Sequence, residues 1–172
     1  MIKRIALSSI LLALSVVSLF IGSIWPIKIA MCVMASAISA VSVIECGHKY
    51  AWLTFIGTSL LAFLLIPKKL IVYVYMLLLG YYPIIKLYIE KIGKLVPEWF
   101  LKLVIYNIAI VAGYFILNTT LLPTLDAKLV ALIFKYLALF VASIEVLFVV
   151  FDLGLSYFIG FYNTRLRRNI RL

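Results

Sequence analysis

Long apolar stretches separated by short polar breaks follow one another along the whole chain. A helix needs about 20 predominantly apolar residues to cross the hydrocarbon core of a bilayer, and the sequence has room for six such stretches. The pattern therefore predicts an all-α fold in which residues 1–172 form a single bundle of six transmembrane helices. The predicted spans cover residues 5–24, 27–44, 50–66, 70–89, 101–122 and 128–160.

The fourth predicted span contains a break, Gly80-Tyr81-Tyr82-Pro83, within a run that carries no charge between positions 70 and 85. In hydrocarbon, the backbone groups that a proline frees must be satisfied by neighbouring protein or by a water-filled cavity. We therefore predict that the break faces the interior of the bundle. After the break, Lys86, Glu90 and Lys94 follow at intervals of four residues, which predicts ion pairs along a solvated helical face.

Composition supports the membrane assignment. Hydrophobic residues make up 67% of the chain and charged residues only 13%, and a soluble domain of 172 residues cannot hide that much apolar surface from water. The net charge of +10 would suggest nucleic acid in a soluble protein. Beside membrane spans, basic residues instead set the topology and contact anionic headgroups, so the predicted partner is the lipid bilayer and not nucleic acid.

The distribution of lysine and arginine predicts the orientation. If the N-terminus lies in the cytoplasm, the cytoplasmic side collects most of these residues and the outer side few, as the positive-inside rule requires. The cytoplasmic set is Lys3, Arg4, Lys49, Lys86, Lys91, Lys94, Lys102, Arg165, Arg167, Arg168 and Arg171, and the outer set is Lys28, Lys68, Lys69 and Lys128. The sequence thus predicts a multi-pass protein of the cell membrane with both termini in the cytoplasm.

Small residues recur at intervals of four in the first two spans. The pairs are Ser9 with Ala13, Ser18 with Gly22, and Ser36 with Ala40. Such pairs allow helix backbones to approach closely in lipid. Two interpretations stay open, because each pair can pack against another helix of this chain or dock a separate membrane protein.

A few polar residues lie inside predicted spans and are candidates for a binding site. Glu145 falls near the middle of the sixth span, and Lys135 lies about two turns into it. A charged residue at mid-bilayer costs about 2.5 to 3.5 kcal/mol, so it should face a cavity or a partner. Asn107 in the fifth span has a simpler interpretation as an interhelical hydrogen bond. At the start of that span, Glu98 and Lys102 are spaced for an i,i+4 ion pair.

Signatures of catalysis and of metal binding are absent from the sequence. His48 is the only histidine, which excludes an HExxH zinc site, and Cys32 and Cys46 lack the CxxC spacing of a metal or redox centre. No GxSxG motif and no glycine-rich phosphate loop occur. We therefore predict a protein that is not an enzyme and has no cofactor.

The architecture resembles the substrate-binding S-components of energy-coupling factor (ECF) transporters, which have similar length, six helices and cytoplasmic termini. Their first helix bears small residues that dock a shared transmembrane coupling subunit, and Ser9 with Ala13 stands at that place here. The segment LLLGYYPIIKLYIEK, followed by EWFLKLVIYN, is also similar to a family of small membrane proteins from Gram-positive bacteria, a resemblance that implies no activity.

The resemblance to S-components implies uptake of a small, vitamin-like molecule through a complex with ATPase subunits. Glu145, Asn107, Tyr82 and Lys135 would then contact the substrate, while Ser9 and Ala13 would contact the coupling subunit. The alternative is a structural or assembly protein of the cell envelope, similar in outline to the MreD-type membrane proteins. An outward-facing polar pocket of several hundred cubic ångströms would favour uptake over assembly.

Overall fold

The fold is all-α, as predicted, throughout the residues that the structure describes. A computed structural model describes the backbone of residues 2–120 and 136–166. The helices are α1 (Ile2–Ile24), α2 (Lys28–Cys46), α3 (His48–Leu65), α4 (Lys69–Val74), α5 (Tyr82–Ile89), α6 (Leu95–Thr120) and α7 (Leu137–Phe161). A π-helical turn over Tyr75–Leu79 follows α4, a 3-10 turn over Glu90–Ile92 follows α5, and a second π-helical turn over Tyr162–Leu166 follows α7.

Proline and glycine set the ends of the first three helices. The helix α1 ends one residue before Trp25-Pro26, and α3 ends shortly before Pro67, because a proline inside a helix removes a hydrogen bond and clashes with the preceding turn. Gly47 follows α2 with a φ of +91° and donates its N–H to the carbonyl of Val43 at 3.1 Å. A side chain would strain that backbone, so Gly47 suits the sharp reversal into α3.

The chain forms two compact units, residues 1–111 and residues 112–172. In the first unit, α1 packs along α2 through small side chains. Ser18 and Gly22 face this interior, and a methyl group on Gly22 would lie 2.7 Å from the Cβ of Met31. Ser36 and Ala40 of α2 are also fully buried. Two of the three small-residue pairs therefore serve packing within the chain.

Five helical segments of the described chain are long and apolar enough to cross a membrane. They are Ile2–Ile24, Lys28–Cys46, Lys69–Ile92, Leu95–Gly113 and Val141–Arg165. The helix α3, which begins with His48 and Lys49, is not among them. Many large apolar side chains on the five segments are exposed, including Ile108 and Val146. Outward-facing apolar surface of this extent is typical of a chain surrounded by lipid.

The described part of the second unit consists of the end of α6, the helix α7 and the π-helical turn after it. On α7, Phe148, Phe151, Asp152 and Leu155 are buried and share one helical face. Asp152 is only 2% exposed. Lys135 lies outside the described residues.

Candidate functional site

The break in the fourth span is closed by a hydroxyl group from a neighbouring helix. Pro83 has no N–H, so the carbonyl of Leu79, four residues earlier, has no regular helical donor. The hydroxyl of Ser36 in α2 donates to this carbonyl at 2.7 Å. Directly before the break, the N–H of Gly80 donates to the carbonyl of Tyr75 at 2.7 Å, which is the i to i+5 bond of a π turn. The prediction that the break faces neighbouring helices is confirmed.

A row of buried hydroxyl groups extends from the break into the first unit. The hydroxyl of Tyr75, whose side chain is completely buried, shares a hydrogen bond of 3.1 Å with Ser39. One turn further along α2, Ser42 and Thr54 of α3 share another of 3.1 Å. Because buried polar groups cost stability unless they are paired, these bonds hold α2, α3 and the π turn in one register. We call Ser36, Ser39, Ser42, Thr54 and Tyr75 the hydroxyl row.

Two buried lysines share one carboxylate at the end of α5. The Oε1 atom of Glu90 lies 2.7 Å from the Nζ of Lys86 and 3.0 Å from the Nζ of Lys102. The side chain of Lys86 is 0% exposed and that of Lys102 is 5% exposed, whereas Glu90 is 33% exposed. Lys102 also lies 5.4 Å from the centre of the Trp99 ring. The ionic cluster, Lys86 with Glu90 and Lys102, joins α5 to the first turns of α6.

The cluster corrects part of the predicted charge pattern. The predicted pair of Lys86 and Glu90 is confirmed, but Lys86 is buried and does not lie on a solvated face. Lys94 does not pair with Glu90, because the chain leaves the helix at Gly93, which has a φ of +69°. The predicted pair of Glu98 and Lys102 is also wrong, since Lys102 reaches back to Glu90 across the turn.

His48, the first residue of α3, lies at the same end of the first unit as the ionic cluster. Its ring stacks on Tyr88 with the ring centres 4.0 Å apart. Burial first, and the positive charge of Lys91 second, lower the pKa of His48 below its ordinary value of 6.5. The Nδ1 atom is buried and has no hydrogen-bond partner among the described residues. The neutral ring is therefore the form that the fold favours.

We expect stability to fall as the pH decreases below about 6.5, because the unfolded chain then binds a proton at His48 that the folded chain resists. The loss should level off below the folded-state pKa. His48→Phe keeps an aromatic ring against Tyr88 and removes the titration, so its stability should stay flat over this range. Reversible unfolding in mixed micelles between pH 8 and 5 measures both proteins. An equal decline in the variant would contradict the assignment to His48.

The residues predicted to contact a substrate lie in different parts of the chain. Tyr82 is buried at the break in the first unit. Asn107 lies on α6, and its side-chain amide donates to the carbonyl of Leu103 in the same helix at 3.0 Å. Glu145 is partly buried on α7, in the second unit. Their grouping into one binding site stays a prediction.

Among the surface recesses of the described chain, two are each lined by consecutive turns of one chain segment. The first has a volume of about 560 Å³ and lies on α6, where its walls are apolar apart from Asn107. The second, of about 580 Å³, lies between Tyr157 and Arg165 at the end of α7 and has mixed polar and apolar walls. Neither recess is enclosed by several helices, as a pocket for a small molecule usually is.

Ser9 and Ala13, the residues predicted to contact a partner, are both exposed on α1. The hydroxyl of Ser9 donates to the carbonyl of Ile5 in its own helix at 3.0 Å. On the opposite face of α1, Ser15 and Leu19 are completely buried. Ser9 and Ala13 are thus the small-residue pair that the packing of the first unit leaves uncovered.

Sequence reasoning did not identify the ionic cluster as a three-residue unit. The sequence does contain a signal for it. Lys86 and Lys102 are both flanked by apolar residues, and few acidic residues lie near enough along the chain to pair with them. No group of histidine, cysteine, aspartate and glutamate that could hold a metal ion occurs within residues 2–120 and 136–166. Comparisons of the chain with protein-family models, curated proteins and solved structures found no match.

Proposed function

We propose that the protein is a membrane-embedded uptake component of S-component type, which binds a small, vitamin-like molecule and passes it on through a complex with ATPase subunits. In this proposal the chain crosses the membrane six times and both termini lie in the cytoplasm. The five long apolar helices support the membrane location. The protein takes no part in covalent chemistry.

The observation that carries the proposal is the uncovered pair of small residues on α1. Two of the small-residue pairs, Ser18 with Gly22 and Ser36 with Ala40, are buried by packing inside the first unit. The remaining pair, Ser9 with Ala13, is exposed. Small exposed residues allow a second membrane helix to approach the backbone of α1 closely. This face would contact the coupling subunit, and Glu145, Asn107, Tyr82 and Lys135 would contact the transported molecule.

Enlarging the small residues on this face tests the proposal. We expect Ser9→Leu with Ala13→Leu to abolish co-purification with an ATPase pair from native membranes, because the two side chains hold the partner helix away. Ser143→Leu is the matched control, since Ser143 is also exposed on an apolar helix and bonds only within it, to Leu139. Retention of the ATPase pair by the double variant, or its loss in the control, would contradict the docking role.

A second candidate function, a structural or assembly protein of the cell envelope, is favoured by the hydrogen bonds that close the break inside the first unit. The break that was a candidate for a polar cavity is closed by Ser36, and the hydroxyl of Tyr75 is engaged by Ser39. The recess on α6 is apolar and open. A protein of this kind needs faces for partners and no internal cavity.

Direct binding of small molecules separates the two candidates. An uptake component should bind one of a panel of water-soluble vitamins when purified in detergent, and Glu145→Gln with Asn107→Ala should weaken that binding at least tenfold. An assembly protein should bind none of them and should instead co-purify with envelope proteins that lack ATPase activity. Binding that is unchanged by the two substitutions would remove these residues from the proposed site.

A further inference from the structure

The connection between α5 and α6 presents apolar and basic side chains side by side. We call residues 91–96 the basic connection. Ile92, Leu95 and Val96 are exposed here, the last two by 76% and 81%. Lys91 and Lys94 are exposed between them. Gly93, in the middle of this segment, has a left-handed backbone with a φ of +69°, and every residue from 91 to 96 is exposed.

The basic connection belongs to one end of the first unit, where other cations also lie. Lys91 acts electrostatically on His48 at the junction of α2 and α3, and Arg4 acts on Cys46 there. The starts of α1 and α3 and the end of α5 therefore meet at this end. Its exposed basic residues are Lys3, Arg4, Lys49, Lys91 and Lys94, and its acids Glu45, Glu90 and Glu98 are not fully exposed.

The ionic cluster removes the nearest negative charge from this surface. Glu90 directly precedes Lys91, but its carboxylate faces the ammonium groups of Lys86 and Lys102 at 2.7 and 3.0 Å. Oppositely charged groups at such distances largely cancel each other's field at longer range. The exposed surface of the basic connection therefore presents positive charge next to apolar side chains.

We infer that the basic connection is a binding surface for anionic phospholipids. Ile92, Leu95 and Val96 enter the boundary between headgroups and acyl chains, and the ammonium groups of Lys91 and Lys94 contact lipid phosphates. A polypeptide that combines apolar and basic side chains in this way binds at the membrane interface, more tightly when the lipids are anionic. The inference does not depend on which of the two candidate functions the protein performs.

Removing the two lysines tests the inference on the full chain in detergent. Fluorescently labelled phosphatidylglycerol is titrated into the purified protein at low salt. We expect Lys91→Gln with Lys94→Gln to weaken its binding about tenfold, because each lysine near a lipid surface contributes a several-fold factor. Lys28→Gln with Lys68→Gln, which removes the same charge from exposed positions elsewhere in the unit, should leave the binding unchanged.

Three further measurements complete the test. Labelled phosphatidylcholine should bind all the proteins equally and weakly, and Lys91→Arg with Lys94→Arg should restore the binding of phosphatidylglycerol. An equal loss in both glutamine variants would show that only net charge matters and would overturn the inference. Competition by soluble glycerol phosphate that is as strong as competition by the lipid would also overturn the inference. So would lysine substitutions that weaken the binding of protein partners but leave the binding of lipid unchanged.

Discussion

Glu90→Gln should destabilise the first unit by about 2 to 3 kcal/mol. The substitution keeps the size of the side chain but removes the negative charge that Lys86 and Lys102 share. Taking the partner from a buried ion pair costs about 3 to 5 kcal/mol. The value expected here is lower, since Glu90 is one-third exposed and solvent screens part of the interaction.

The measurement is reversible unfolding in mixed detergent micelles, with Glu98→Gln as the control. Glu98 lies in the first turn of α6, is partly buried and forms no ion pair with Lys102. Its substitution should change the free energy of unfolding by less than about 0.5 kcal/mol. Equal effects of the two substitutions would show that the shared carboxylate of Glu90 does not hold α5 to α6.

Gly80→Ala should destabilise the protein by about 1 to 3 kcal/mol, although alanine is normally the better helix former. A methyl group at Gly80 would lie 2.7 Å from the Cζ of Tyr75 and 2.8 Å from the Cε2 of Phe55. Both rings pack into the first unit, and Tyr75 is completely buried. Relief of the clash would move the tyrosine hydroxyl away from Ser39 and weaken the hydroxyl row.

Gly154→Ala is the matched control for this substitution. Gly154 also lies in an apolar helix, but no described residue beyond its own stretch of helix places an atom within 4 Å of where its methyl group would be. Its replacement should leave the free energy of unfolding unchanged or raise it slightly, because alanine is the better helix former. The same unfolding assay compares the two variants. A Gly80→Ala protein as stable as the Gly154→Ala protein would mean that the break tolerates a side chain.

The helical class and the inward-facing break could be predicted from local rules. Apolar runs of sufficient length define the helices. Because Pro83 has no N–H, the carbonyl of Leu79 needs a hydrogen-bond donor from another part of the protein. That the donor is the hydroxyl of Ser36 could not be predicted, because the two residues are 43 positions apart. Pairing at that separation depends on how α2 packs against the fourth span.

The ionic cluster shows where local rules fail. Spacing by four predicts the pair of Lys86 and Glu90, since both lie at the end of one helix. The same rule assigns Lys94 to Glu90 and Lys102 to Glu98, and both assignments are wrong. The turn at Gly93 breaks the helical period between Glu90 and Lys94. Glu98 and Lys102 lie in one helix, but the ammonium group of Lys102 bonds to the carboxylate of Glu90, which tertiary packing brings close. For Glu145 and Asn107, the sequence predicts polar residues in spans but not their neighbours.

The π turn of the fourth span allows the chain to carry one extra residue between the two helical halves of that span. Each residue of a regular helix advances by about 100° around the axis, and a π turn absorbs one extra residue without lengthening the span by a full turn. Tyr75 before the break and Lys86 after it are both fully buried. Each half therefore points its own polar side chain inward, and loss of a single residue between positions 75 and 79 would convert the π turn into a regular turn that leaves Lys86 facing the interior.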